Sequence, residues 1–145
     1  MSNPEIVIAG HGNAPFPVEF AVFEEDTYLV LSAGNVVRET REEASSLVYE
    51  MMDFEPQSVG SLVVKGNRGY AIVHDLAREP SHDPAWVDAA LAELAAWCHE
   101  RGIRSLAIEP IGCVHARGDL DAFVGRVGAL CVERIWIMFD ANRRG

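Results

Sequence analysis

The fold is decided by the stretch PAWVDAALAELAAWCHERGIRSLAIEPIGCV, which covers residues 84–114. Its first part predicts a helix, because Asp83 can cap the free backbone N–H groups and Pro84 suits the first turn. Apolar residues recur at intervals of three and four, and Gly102 follows as a C-terminal stop. The apolar stripe consists of Val87, Leu91, Leu94 and Cys98.

The second part of the stretch predicts a buried strand. The segment from Arg104 to Glu109 is too apolar for an edge strand and too short for a helix, so a parallel strand covered on both faces fits best. Ligands of open α/β sheets bind beyond the carboxyl ends of such strands. We therefore expect function in the loop from Pro110 to Gly118.

The rest of the chain alternates between apolar runs and polar turns. The capping box Thr40-Arg-Glu-Glu43 predicts a helix that runs to about Asp53, and Asp119 can cap a third helix. Turn residues between Val-rich and aromatic runs predict the strands. These strands are 5–9, 19–23, 28–32, 61–65, 70–75 and 133–139.

Two pairs of these strands are candidates for hairpins. The acidic segment Glu24-Glu25-Asp26 is interpreted as a turn between strands 19–23 and 28–32, which could pair with each other. Gly66-Asn-Arg-Gly69 is a hairpin-type turn between strands 61–65 and 70–75. Together, the elements predict an α/β fold with a mixed, largely parallel central sheet.

Composition limits the class of protein. The chain has 145 residues, so we expect one domain over residues 1–145, with a frayed tail at 141–145. The net charge of −10 argues against nucleic acid as a partner, and no apolar run is long enough for a membrane span. Three cysteines without C-x-x-C spacing and no signal-peptide pattern favour a cytoplasmic protein.

The sequence predicts neither a metal site nor a cofactor. His82-Asp83 and His99-Glu100 lack the i, i+4 spacing that places two ligands on one helical face. The segment Gly10-His-Gly-Asn13 is too isolated a glycine cluster for a dinucleotide fingerprint, and it is interpreted as a loop.

From about Tyr28 to Asp140, the order of elements resembles a macro domain, the ADP-ribose-binding fold that also occurs in the N-terminal domain of leucine aminopeptidases. The resemblance rests on an apolar strand into an Ala-Ala-Asn-like corner, a strand ending near a histidine, a strand before a Gly-rich loop, and a last strand ending in Phe-Asp. The matching segments are 29–35, 70–74, 105–108, 111–114 and 137–140. It implies a three-layer α/β/α macro-like fold.

The resemblance also implies a ligand site. Gly34 and Asn35 form the corner that contacts the distal ribose, Gly112, Cys113, Val114 and His115 lie along the diphosphate, and Phe139 or Asp140 lies near the adenine. The loops after Ser32, Ile108 and Phe139 then form the cleft. Catalytic residues are not assigned by the resemblance.

One departure from the family pattern changes the expected chemistry. Val114 stands where the family has a glycine, so the backbone cannot approach a diphosphate closely. Side-chain donors must then replace the backbone amides, and His115 and Arg117 are within reach by sequence.

Three functions stay open from the sequence. The first is a ligand-binding module for ADP-ribose or another nucleotide derivative. The second is a degenerate domain that serves as an interaction or oligomerisation unit, for which Trp86 and Trp97 on the flanks of the central helix would provide a partner or homodimer surface. The third is an ADP-ribosyl hydrolase, in which Asn35 and a loop residue hold the attacking water.

The loop chemistry predicts how two substitutions change affinity. Arg117→Ala should weaken a phosphorylated ligand at least tenfold, about 1.4 kcal/mol, because a charge-assisted hydrogen bond is lost. Asn35→Ala should weaken ribose-containing ligands while sparing pyrophosphate. Calorimetric titration of ADP-ribose and pyrophosphate against both variants measures these changes, and equal losses for both ligands in Asn35→Ala would contradict the assignment to the ribose.

Overall fold

The computed structural model describes residues 4–12, 14–29, 56–113 and 118–140, and these contain six strands and two helices. The strands are β1 (Glu5–Ala9), β2 (Phe20–Asp26), β3 (Leu62–Lys65), β4 (Arg68–His74), β5 (Ser105–Ile108) and β6 (Arg134–Met138). The helices are α1 (Pro84–Arg101), between β4 and β5, and α2 (Leu120–Val127), between β5 and β6. The predicted helix at 40–53 lies outside the described residues.

The six strands form one sheet in the order β1-β6-β5-β2-β4-β3. The first five strands in this order, β1, β6, β5, β2 and β4, are parallel to one another. Strand β3 is antiparallel to its neighbour β4. The mixed, largely parallel α/β sheet predicted from the sequence is therefore confirmed. Five strands consequently end at the same edge of the sheet, which we call the carboxyl edge.

Helix α1 has the boundaries that its sequence predicts. The Asp83 carboxylate accepts a hydrogen bond from the N–H of Ala85, and Gly102 adopts a left-handed conformation with φ of 62°. The predicted stripe of Val87, Leu91, Leu94 and Cys98 is buried. Helix α2 begins after Asp119, whose carboxylate accepts from the N–H groups of Asp121 and Ala122.

The central strand β5 is buried on both faces, as predicted. Leu106 and Ile108 are fully buried in the core that both helices cover, together with Phe123 and Val127 of α2. Ala107, which points to the opposite face, packs with Trp136, Met138 and partly buried residues on the other side of the sheet. Burial of an apolar side chain contributes about 1.5–3 kcal/mol, so this strand anchors the fold.

The prediction of an acidic turn at Glu24-Glu25-Asp26 is wrong. These residues form the end of β2, and their side chains are at most 1% exposed. The hairpin with residues 28–32 is also wrong, because β2 pairs in parallel with β5 on one side and β4 on the other. Tyr28 and Leu29 lie in a turn, and residues 30–32 are outside the described part of the chain.

The hairpin of β3 and β4 is confirmed, with a tighter turn than the sequence suggested. Lys65 pairs with Arg68, which leaves only Gly66 and Asn67 as loop residues. In the described part of the chain, β3 is an edge strand. The Glu93 carboxylate of α1 accepts the Leu62 N–H at 2.5 Å, so a charged group protects part of this edge.

Both tryptophans of α1 pack partly against the protein's own core. Trp97 contacts Phe20 with ring centroids 5.7 Å apart, and the Arg101 guanidinium lies 4.4 Å above the same indole. The Arg78 guanidinium lies 5.3 Å above Trp86. The homodimer surface that was expected from two exposed indoles stays a prediction.

Neither described helix is long and apolar enough to span a bilayer.

Truncation of the central strand should destabilise the protein strongly. Leu106→Ala leaves a cavity in the fully buried core, and we expect a loss of about 2–5 kcal/mol in the free energy of unfolding. Leu76→Ala is the matched control, because Leu76 is 55% exposed and should change stability by less than about 0.5 kcal/mol. Urea denaturation measures both, and equal losses would contradict the assignment of the core.

Candidate functional site

Polar side chains collect where the parallel strands end. His11 follows β1, Glu24 lies near the end of β2, His74 ends β4, Glu109 follows β5, and Asp140 comes two residues after the end of β6. Because the five strands are parallel, these residues share the carboxyl edge. Ligands of open α/β sheets bind at this edge, so it is the candidate site.

His11 joins three strand ends. Its Nδ1 forms a hydrogen bond with Asp140 Oδ2, and its backbone N–H donates to Asp140 Oδ1 at 3.2 Å. Its Nε2 lies 3.3 Å from Glu109 Oε2. A Cβ at Gly10 would collide with the Asp140 carboxylate, so glycine at this position permits the contact. The loop after β1 is thereby fixed to β5 and β6.

Glu109 links this group to β2. Glu109 is 7% exposed, and its Oε1 accepts the backbone N–H of Glu24 at 2.9 Å. The Glu109 N–H in turn donates to the carbonyl oxygen of Val22 at 2.9 Å. Both carboxylate oxygens of Glu109 are therefore used within the protein.

The Glu24 carboxylate connects β2 to β4 and to the loop after β5. Its Oε1 accepts the Gly112 N–H at 2.5 Å, and its Oε2 lies 2.5 Å from Nε2 of His74. Glu24 and His74 are 1% and 2% exposed. A continuous row of hydrogen bonds thus runs along the edge from Asp140 to His74.

The loop after β5 has a constrained beginning. Gly112 has φ of 88°, a conformation that favours glycine, and a Cβ there would make a tight contact of 3.2 Å with Val87 Cγ2. The Gly118 N–H donates to the Gly112 carbonyl oxygen at 2.9 Å, and a Cβ at Gly118 would lie 2.6 Å from that oxygen. The two glycines therefore approach each other at the base of the loop.

A second histidine lies beside His74. The ring centroids of His74 and His82 are 4.9 Å apart, and Nδ1 of His82 donates to the Val73 carbonyl oxygen at 2.8 Å. This bond leaves Nε2 of His82 as the acceptor in the neutral ring. Among residues 4–12, 14–29, 56–113 and 118–140, no three His, Cys, Asp or Glu side chains are arranged to hold a metal ion.

The carboxylates around His11 raise its pKa above the usual value of 6.5. The hydrogen bond to Glu109 is the main cause, partial burial opposes it, and the hydrogen bond to Asp140 adds to the rise. His11 and Asp140 keep 33% and 26% of their side-chain surface exposed, so they are accessible polar groups of this edge.

The structure describes four of the nine sequence-predicted site residues. Gly112, Cys113, Phe139 and Asp140 all lie in the two segments that follow β5 and β6. Cys113 is buried, in keeping with a small packed residue. Gly34, Asn35, Val114, His115 and Arg117 lie outside the described residues, and their roles stay predictions.

Sequence reasoning missed His11, Glu24, Glu109 and His74 as members of this row. The sequence places His74 at the end of a strand, His11 in a loop and Glu24 in a turn, without joining them. One signal could have found them, since each comes at the carboxyl end of an apolar run. A polar residue at that position in several runs marks one edge of a parallel sheet.

Comparison with known proteins identifies the fold. The macrodomain of Thermus aquaticus DarG superposes with a TM-score of 0.68 at 18% identity, over 94% of this chain and 99% of that one. The macrodomain of Mycobacterium tuberculosis DarG gives a TM-score of 0.65 at 18% identity, over 92% and 99%. A macrodomain protein from Streptomyces coelicolor gives 0.56 at 13% identity, over 94% and 100%.

No protein-family model and no curated protein sequence matches the chain. The structural likeness nevertheless spans nearly all of it, and the chain is an α/β protein of macro domain-like fold. The resemblance seen in the sequence is confirmed at the level of the fold. The relation to the aminopeptidase domain stays a prediction.

Protonation of His11 should stabilise the protein at low pH. Because the folded-state pKa is raised, the stabilisation is fully present below about pH 6.5 and is lost as the pH rises through the folded-state pKa. The stability difference between wild type and His11→Gln should therefore shrink from acidic to alkaline pH. Urea denaturation across this range measures it.

His99→Gln is the control for loss of one imidazole, since His99 lies exposed on α1. A difference between wild type and His11→Gln that grows with pH would contradict the arrangement of His11 between two carboxylates.

Proposed function

We propose that this domain binds a nucleotide or ADP-ribose-like ligand at the carboxyl edge. The observation that carries the proposal is the convergence of His11, Glu109 and Asp140 at the ends of three parallel strands, beside the loop that starts at Gly112. The macrodomain likeness supports the same edge through the fold alone.

The described edge suits the donor groups of such a ligand. A carboxylate accepts hydrogen bonds from ribose hydroxyls or from the adenine amine, and Asp140 is a partly exposed carboxylate at this edge. A protonated His11 beside it would offset part of the negative charge of Glu109 and Asp140. The ribose or base would therefore lie against the His11 and Asp140 end of the row.

Phosphate groups need a different part of the site. The Gly112 N–H, which could donate to a phosphate at the start of the loop, already donates to Glu24. We propose that His115 and Arg117 provide the phosphate contacts through their side chains, as their positions in the sequence predict. The proposal is limited to binding.

Asp140→Asn tests the proposed contact with the ligand. The substitution keeps the shape of the side chain and removes its charge, so the dissociation constant for ADP-ribose should rise at least tenfold, about 1.4 kcal/mol. Asp121→Asn is the matched control, because Asp121 is exposed on α2 and should leave the affinity unchanged. Isothermal titration calorimetry measures both variants.

A thermal-shift series with ADP-ribose, ADP and adenosine tests binding as such. A ligand at a hundred times its dissociation constant stabilises the fold by about 2.7 kcal/mol. The absence of any shift or heat at millimolar ligand would overturn the proposed function and leave an interaction domain as the surviving hypothesis.

A further inference from the structure

We propose that Glu24 is a specificity-determining residue that supplies a built-in anion to the Gly112 amide. Its carboxylate takes the position that a phosphate oxygen would need at the start of the loop after β5. The site then disfavours phosphate at this point. This inference rests on the proposed function, because it defines which part of the ligand the loop start accepts.

The first evidence is the contact itself. Glu24 Oε1 lies 2.5 Å from the Gly112 nitrogen, and Glu24 is 1% exposed, so solvent does not compete for this amide. Gly112 has φ of 88°, a positive value that favours glycine. The second oxygen of Glu24 is held by His74 Nε2 at 2.5 Å. The carboxylate is thus fixed at both oxygens.

The second evidence is that neighbouring strand ends repeat the pattern. The backbone N–H of His11 donates to Asp140, and the backbone N–H of Glu24 donates to Glu109. Further along, the N–H of Asp26 donates to Oε1 of Glu25 at 3.0 Å. Four amides at this edge, those of His11, Glu24, Asp26 and Gly112, therefore donate to carboxylates of the protein itself.

Electrostatics gives the expected consequence. A phosphate at Gly112 would have to displace a carboxylate that is already hydrogen-bonded, or lie beside it and be repelled by it. Uncharged ribose hydroxyls and amines meet no such charge repulsion. The described loop start should consequently discriminate against phosphate and leave donor groups unaffected.

Removal of the built-in anion provides the test. Glu24→Ala opens a cavity of carboxylate size between Gly112 and His74, so formate, acetate or phosphate should raise its melting temperature above that in chloride at equal ionic strength. The wild type should show no such difference. By calorimetry, pyrophosphate should bind Glu24→Ala at least tenfold more tightly than wild type.

Two further variants serve as matched controls. Glu24→Gln keeps an oxygen for the Gly112 amide and opens no cavity, so small anions should not stabilise it. Glu93→Ala removes another carboxylate that accepts a backbone N–H at 2.5 Å, but Glu93 is exposed and solvent replaces it. Stabilisation of Glu93→Ala by formate to the same extent would show a nonspecific salt effect and overturn the proposal.

The test remains decisive if Glu24→Ala does not fold in chloride. Recovery of the native far-UV and near-UV spectra on addition of formate would then support the proposal, and failure of every anion to restore them would overturn it. Equal affinity of wild type and a folded Glu24→Ala for pyrophosphate would overturn it as well.

The outcome is separable from that of the proposed function, because formate and pyrophosphate replace the nucleotide. A wild type that binds no nucleotide, with Glu24→Ala rescued by formate, would refute only the proposed ligand. A wild type that binds ADP-ribose, with no anion effect in Glu24→Ala, would refute only the role of Glu24.

Discussion

The structure depends on the burial of carboxylates at the ends of parallel strands. An isolated carboxylate in the interior is costly, and it is tolerated only when its oxygens accept hydrogen bonds. Here the donors come from the ends of neighbouring strands. Glu109 contacts His11 after β1 and accepts the backbone N–H of Glu24 in β2. The strands must therefore keep their order and register for these groups to remain satisfied. The same hydrogen bonds therefore position the residues of the carboxyl edge and stabilise the sheet.

The fold and the site carry different information about function. The macro domain-like fold defines an edge at which a ligand can bind, and folds of this kind host many unrelated activities. The residues at that edge decide which ligand is accepted. In this chain they include Glu24, Glu109 and Asp140, so the edge is acidic where it is described. Likeness to macrodomains therefore establishes the fold, and the chemistry of this edge depends on these side chains.

Local patterns were sufficient to predict much of the fold. Asp83, Pro84 and Gly102 are caps that act within a few residues, and the stripe from Val87 to Cys98 follows helical periodicity, so α1 was predicted with its correct ends. Leu106 and Ile108 belong to a short apolar run that a buried strand fits best. These features need no knowledge of distant residues.

The site was harder to predict because its energetics are nonlocal. Three consecutive acidic residues normally indicate a solvated turn, and Glu24 is buried only because Gly112 and His74, far along the chain, satisfy its oxygens. His11 likewise acquires its role from Asp140, 129 positions away. No rule of sequence spacing connects such residues. A comparison of the residues that end each apolar run could have shown that several of them are polar.

The turn between β3 and β4 is a suitable place to attach the protein to a surface. It is exposed and lies at the end of the sheet opposite the carboxyl edge, and the Asn67 carbonyl oxygen accepts the Ala21 N–H, which holds its backbone in place. A cysteine introduced at position 67, after replacement of the exposed Cys131 by serine, could be coupled to a sensor chip or a bead. The attached protein would then present the edge with His11 and Asp140 to the solution, so a soluble nucleotide could reach it without hindrance from the surface.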